Sequence, residues 1–274
     1  MPPTPAQPDE PRKQSPIIRL EGVSKRFGRT EALHDISMEI PRGGTTVVLG
    51  PSGCGKSVML KHIIGLLKPD SGRVYYEDAR IDRLREPELV EIRKRIGFLF
   101  QQGALFDSMT VGQNIGFALR EHTDLPWDQR RRKVEHMLEL VGVPGTADRM
   151  TSELSGGQQK RVALARSVIL EPDVVLYDEP TTGLDPIRAD VISRLILRLQ
   201  ERLDLTSVVV THDIQTAFKI ADSMIMMKDG RILLSGPPSL FKDTDDEAVR
   251  RFLEGEASPE ELGDLAVSPE GTNS

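Results

Sequence analysis

The sequence predicts an α/β protein: a mostly parallel sheet carrying a phosphate-binding loop, an antiparallel β layer beside it, and an inserted helical lobe. Three observations carry that expectation. Gly50-Pro-Ser-Gly-Cys-Gly-Lys-Ser57 lies between the β-branched run Thr45–Leu49 and the helical pattern Val58–Ile64. The apolar runs Val174–Tyr177 and Ser207–Val210 are each followed by an amphipathic helix, Ile187–Leu203 and Ile214–Ala221, an alternation that gives parallel strands with covering helices. From Thr110 to about Leu170 the strand signal vanishes and helical spacing takes over.

Taken in order, Met1–Pro11 has no apolar core and reads as a disordered arm rather than a secretory signal. Ile17–Gly22 and Leu33–Ile40 read as strands separated by Val23–Gly28, and Arg73–Tyr76, after the turn signal Asp70–Gly72, as a third strand of an antiparallel layer. Glu86–Arg95 has helical spacing and Ile96–Phe100 is a short buried strand ending at Gln101. Val111–Leu119, Asp128–Val141 and Gly157–Leu170 build the lobe. Within it, Arg130–Lys133 reads as a solvated face or an electrostatic docking patch, and Trp127 as a side chain packed against the lobe. Asp229-Gly230 joins Ser223–Lys228 to Arg231–Ser235 as a hairpin. A helix is expected near Glu247–Leu253, then a flexible acidic end. The division is therefore an arm over 1–16, one large domain over 17–243 with its lobe at about 103–170, and a C-terminal helix and tail over 244–274.

The chain of 274 residues is 38% apolar, enough for one substantial core. Its net charge of −6 argues against nucleic acid as a partner. The single cysteine excludes an internal disulfide framework and suits a reducing cytoplasm. Apolar runs of about eighteen residues are absent, so a membrane role must come through a partner.

The glycine-rich segment fits the pattern G-x-x-x-x-G-K-[ST] at every fixed position. The loop of Gly50, Pro51, Ser52, Gly53, Cys54 and Gly55 would curl around phosphate at the positive end of a helix, every residue but Pro51 offering a backbone N–H, and a Cβ at the glycines would obstruct the turn or the approach. Lys56 supplies a point charge for the β- and γ-phosphates, and Ser57 a hydroxyl ligand for Mg²⁺. Cys54 is a small loop residue or a redox-sensitive thiol. Asp178 and Glu179 end a buried strand as adjacent carboxylates, costly unless a divalent cation and a reaction need them. Asp178 is expected to hold Mg²⁺ and Glu179 to polarise the attacking water. Ser155, Gly156, Gly157 and Gln158 open a helix as a second phosphate-binding surface.

In this order, Gly50–Ser57, Gln101, Leu154–Gln158, Val174–Glu179, Gly183–Asp185 and His212 resemble the ATP-binding subunits of ABC transporters, over roughly residues 17 to 240. The resemblance implies a P-loop NTPase core with the ABC ATPase fold, and ATP and Mg²⁺ as cofactors. It implies that Phe27 stacks on adenine, that Gln101 senses Mg²⁺ and a transmembrane permease subunit, that Asp185 couples the two sites, and that His212 switches on the γ-phosphate. Two copies would pack head to tail, with Ser155 and Gly157 of one closing on the ATP of the other.

Phe100–Phe106, Leu119–Pro126 and Val249–Gly255 further resemble the ATPase subunit of Mla-type phospholipid transporters that work with MCE-domain proteins. That implies a peripheral protein on the cytoplasmic face of the inner membrane, with MCE-domain and small accessory partners, and a tail that either contacts the neighbouring ATPase or remains unstructured. Three functions compete: an ATP-hydrolysing transporter motor for phospholipid or another substrate, a mechanical or signalling ATPase resembling the cell-division ABC proteins, and a nucleotide-gated binding module without turnover.

Overall fold

The computed structural model describes residues 15–257. In chain order, β1 (Ile18–Phe27) and β2 (Thr30–Ile40) form a hairpin, followed by β3 (Thr45–Leu49), α1 (Lys56–Ile63), β4 (Ser71–Tyr76) and β5 (Ala79–Arg80). Next, α2 (Glu86–Lys94) leads into β6 (Ile96–Leu99), after which α3 (Val111–His122), α4 (Trp127–Leu140) and α5 (Gly156–Val168) follow with no strand between them. The chain then alternates β7 (Val174–Asp178), α6 (Pro186–Leu203), β8 (Thr206–Thr211) and α7 (Ile214–Ile220). It continues through β9 (Ser223–Lys228), β10 (Arg231–Gly236), α8 (Pro238–Lys242) and α9 (Glu247–Glu254).

Two sheets result: a four-stranded antiparallel one in the order β2-β1-β4-β5, and a six-stranded one in the order β10-β9-β3-β8-β7-β6. In the larger sheet β9, β3, β8, β7 and β6 run parallel and only β10 is antiparallel. Every residue of β3, β7 and β8 is buried, which is why these strands are apolar on both faces. Alternation divides them between two cores. Val47, Leu49, Val175, Tyr177 and Val209 join the helices α3 to α7. Val48, Leu176, Val208 and Val210 face α1 and the antiparallel layer.

Several boundaries differ from the sequence expectation. The segment Val23–Gly28 was expected to separate two strands, but β1 continues to Phe27 because register shifts after Leu20 and Val23 keep it paired with β2. Gly22, with φ +58°, sits at the first shift, its amide donating to Ser37 Oγ at 2.9 Å; such bulges bend a strand without ending it. Ser71 and Gly72, expected in a turn, begin β4 for the same reason: Gly72 lies at a shift, and Ser71 pairs beyond it, opposite Ser24. The short helix α8 had no periodic signal, and its Phe241 is buried in the first core. Val249 of α9 enters that core too.

Trp127 was expected to pack against the lobe, yet it is 64% exposed. It occupies the first position of α4, and the buried face of that helix begins only at Val134. The Arg131 guanidinium lies 5.4 Å from its ring centroid. Of the neighbouring basic residues, Arg131 and Arg132 are exposed and pair with Glu135 and Asp128, each at 2.8 Å, whereas Arg130 is half-buried with its Nε withdrawn from solvent. The arm and acidic tail expectations fall largely outside the described residues.

Candidate functional site

Parallel register brings the C-terminal ends of three adjacent strands together, with Leu49 of β3 opposite Thr211 of β8, and Asp178 of β7 opposite Val210. Open α/β sheets place ligands at such strand ends. The loop after β3 is forced to be glycine-rich by crowding: a Cβ on Gly50 would lie 2.2 Å from the Met227 carbonyl oxygen, and one on Gly55, where φ is +105°, 2.4 Å from that of Ala32. Gly55 also opens α1, so the loop leads directly to the positive end of a helix.

Lys56 is the first residue of α1 and only 5% exposed. Its ammonium donates to the carbonyl oxygens of Gly50 at 2.7 Å and Pro51 at 2.9 Å, and lies 3.6 Å from Glu179 Oε1. Next to it, the Ser57 hydroxyl donates to Asp178 Oδ1 at 2.8 Å. Burial pushes the Asp178 carboxyl up; the Ser57 hydrogen bond opposes that and the adjacent Glu179 charge reinforces it. Glu179 is buried with a left-handed backbone, φ +50°, a conformation that costs a non-glycine residue about 1–3 kcal/mol. Its Oε2 lies 2.9 Å from His212 Nδ1 and accepts from the Thr182 hydroxyl at 3.2 Å. One carboxylate is thus held by groups from α1, the β7 loop and the end of β8.

Phe27 is 47% exposed at the tip of the β1–β2 hairpin. The hairpin is tied to the loop region: the His34 amide donates to the Gly230 carbonyl at 2.8 Å, and the Gly230 amide to that of Cys54 at 3.1 Å. Cys54 itself is buried, and burial pushes its thiol up against the lowering charge of Lys56. The thiol packs inside the loop, where burial disfavours the thiolate form.

The structure does not join the second phosphate-type motif to this cluster by hydrogen bonds or ion pairs among the described residues. Ser155 caps α5 and exchanges hydrogen bonds with Gln158, its amide donating to Gln158 Oε1 at 3.0 Å. A Cβ on Gly156 would meet nothing within 4 Å, and one on Gly157 only the Arg188 side chain, at 3.8 Å. Asp185 caps α6, its Oδ1 accepting from the Arg188 amide at 3.0 Å. Gln101 is exposed just past β6, and its carbonyl accepts from the Lys160 ammonium. Burial lowers the Lys160 pKa, while Asp178 and Glu179 pull it up.

Sequence reasoning missed Thr182, Lys160, Arg166 and Asn114. Asn114 is fully buried; its Oδ1 accepts from the Phe106 amide at 2.8 Å, and its Nδ2 donates to the Phe106, Met109 and Thr110 carbonyls. A lone polar residue on the apolar stripe Val111, Ile115, Leu119 was the available signal.

The profile of the ABC transporter family matches residues 33–182. The chain is 41% identical to the intermembrane phospholipid transport system ATP-binding protein MlaF of Haemophilus influenzae, over 88% of this chain and 91% of that one. It is 40% identical to the probable ribonucleotide transport ATP-binding protein mkl of Mycobacterium leprae, over 92% of this chain and 72% of that one. Among solved structures it is similar to the dimeric post-hydrolysis state of the ATP-binding cassette MJ0796 bound to ADP and Pi, with TM-score 0.74, 34% identity, and coverage of 80% of this chain and 98% of that one.

Proposed function

The chain belongs to the ABC transporter family, and from that premise we propose that it is the ATP-hydrolysing subunit of a phospholipid transporter, acting as a homodimer against a separate membrane subunit. One observation carries the reading. Lys56, Ser57, Asp178, Glu179 and His212 meet at adjoining strand ends, while Gly156 in the Ser155–Gln158 helix tip faces open space.

In this reading Lys56 exchanges its loop carbonyls for the β- and γ-phosphates, and Phe27 stacks on the adenine. Glu179 accepts a hydrogen bond from the attacking water, and His212, already beside Glu179, reaches the γ-phosphate. Ser57 and Asp178 suit Mg²⁺: both offer hard oxygens, and the buried carboxylate gains from a cation. Among the described residues no group of three His, Cys, Asp or Glu side chains could hold a metal, consistent with an ion that takes one or two protein oxygens plus phosphates and water. When bound, it would neutralise charge on the transferring phosphoryl group.

Glycine at 156 supports the dimer. At a helical position it costs up to about 1 kcal/mol relative to alanine, and no neighbour in the chain requires it. A nucleotide held by a second copy is a reason to leave that space empty, with Asp185 linking the two sites. Among the described residues no helix is long and apolar enough to cross a membrane, so membrane work is assigned to a permease docking near Gln101, on the cytoplasmic face of the inner membrane. MCE-domain and accessory subunits complete the proposed complex. Phospholipid is favoured over ribonucleotide because the MlaF relative is matched over 91% of its length and the mkl relative over 72%.

The test is reconstitution with the membrane subunit in lipid vesicles. ATP-dependent redistribution of labelled phospholipid is the expected result; ATP turnover that never changes lipid distribution or binding overturns the transport assignment.

A further inference from the structure

We propose that Lys160 and Arg166 are positioning residues that clamp the segment after Gln101 onto α5, so that this segment and the Ser155–Gln158 helix tip move as one piece. The proposal rests on the roles given above to Gln101 and to that tip.

Residues 160, 163 and 166 recur at i, i+3 and i+6 and so share one side of α5. Together they meet Gln101, Gly103 and Ala104 of the segment. The Lys160 ammonium donates to the Gln101 carbonyl. The Ala163 Cβ lies 3.3 Å from where a Cβ on Gly103 would stand. Arg166 donates from Nη2 to the Gly103 carbonyl at 2.7 Å and from Nη1 to the Ala104 carbonyl at 2.8 Å.

The segment is shaped for this grip. Gly103 and Ala104 are consecutive left-handed residues, with φ +75° and +49°, an arrangement that strains the alanine and persists only where surrounding contacts impose it. It aims two successive carbonyls at one guanidinium. The acceptors are neutral and the guanidinium is half-buried, so what the site requires is a planar fork of donors rather than a charge. The far end of the segment is fixed to α3 through Asn114, which holds both the amide and the carbonyl of Phe106. Pinned at both ends, the segment has little freedom to absorb a displacement of Gln101, and the displacement passes to α5, whose first turn is the helix tip.

The experiment uses the full-length chain carrying Glu179→Gln, with Arg166→Lys, Lys160→Met and Lys160→Arg added singly. Fluorescent ATP titration reports the phosphate loop, and light scattering reports ATP-driven dimerisation. Arg166→Lys and Lys160→Met should leave ATP affinity within about twofold and raise the ATP concentration for half-dimerisation by about tenfold, and Lys160→Arg should restore it. Unchanged dimerisation in both variants, or a parallel fall in ATP affinity that marks general damage, overturns the clamp. Amide exchange without nucleotide separates the two readings. Should the parent protein fail to dimerise, the dimer reading falls. The clamp is then judged on whether Arg166→Lys raises exchange at 103–104 and 158–162 together, as expected, or at 103–104 alone, which overturns it.

Discussion

The Lys56 ammonium and the Glu179 carboxylate stand 3.6 Å apart, both nearly withdrawn from solvent. The cation that would grip phosphate is therefore also the charge that makes two adjacent buried carboxylates tolerable. On the proposed reading, phosphate oxygens of a bound nucleotide would compete with Glu179 for the same ammonium.

Lys56→Ala should weaken ATP binding by about tenfold to a hundredfold, the loss of one or two charge-assisted hydrogen bonds at roughly 1.5–3 kcal/mol. Equilibrium titration with a fluorescent ATP analogue measures this, and an unchanged Kd contradicts the assignment.

Glu179→Gln should leave ATP affinity near wild type and lower phosphate release by about a hundredfold or more. The amide keeps the shape and the Thr182 contact but accepts no proton. Size-exclusion chromatography with ATP should show a persistent dimer. Turnover near the wild-type rate would remove Glu179 from the role of base.

Gly156→Ala should separate stability from function. The monomer should be unchanged or more stable by up to about 1 kcal/mol in urea, because alanine is the better helix former and the added methyl meets nothing. ATP turnover should nonetheless fall at least about tenfold. Wild-type turnover would show that the helix tip approaches no nucleotide.

The pH dependence of stability should contain one proton from His62. This residue is buried on α1, its Nδ1 is 2.8 Å from the Val58 carbonyl oxygen, and burial lowers its pKa. The unfolded chain takes up a proton near pH 6.5 that the folded chain refuses until lower pH. Stability is thus fully present above that value and declines as pH falls below it, by at most about 1.4 kcal/mol per unit. His62→Gln should flatten that slope in denaturant titrations between about pH 5 and 6.5; an identical slope would place the proton elsewhere.

The parts of the site legible in the sequence are those whose chemistry is local. Gly50–Ser57 and Ser155–Gln158 declare a loop and a helix start within a few residues, and Asp178-Glu179 ends an apolar run that can only be a buried strand. What sequence reading missed depends on how the backbone turns or on contacts between separate elements. Thr182 matters because a strained backbone at Glu179 turns the loop back on itself. Lys160 and Arg166 matter because α5 lies along a segment about sixty residues earlier. The continuation of β1 past Gly22 depends on hydroxyls of Ser24 and Ser37 that bridge the bulges, and no hydrophobic period records such contacts.

By itself, then, the sequence determined the alphabet of the site: a lysine-bearing anion loop, a carboxylate pair at a strand end, a strand-end histidine and a serine-glycine helix tip, each recognisable because backbone geometry imposes residue types over a short span. Only the tertiary structure decided the wiring. Parallel register set Lys56, Glu179 and His212 within contact of one another, side packing tied the Gln101 segment to α5, and the Gly156 surface was left open, because these depend on how separate elements stack, which no local pattern encodes.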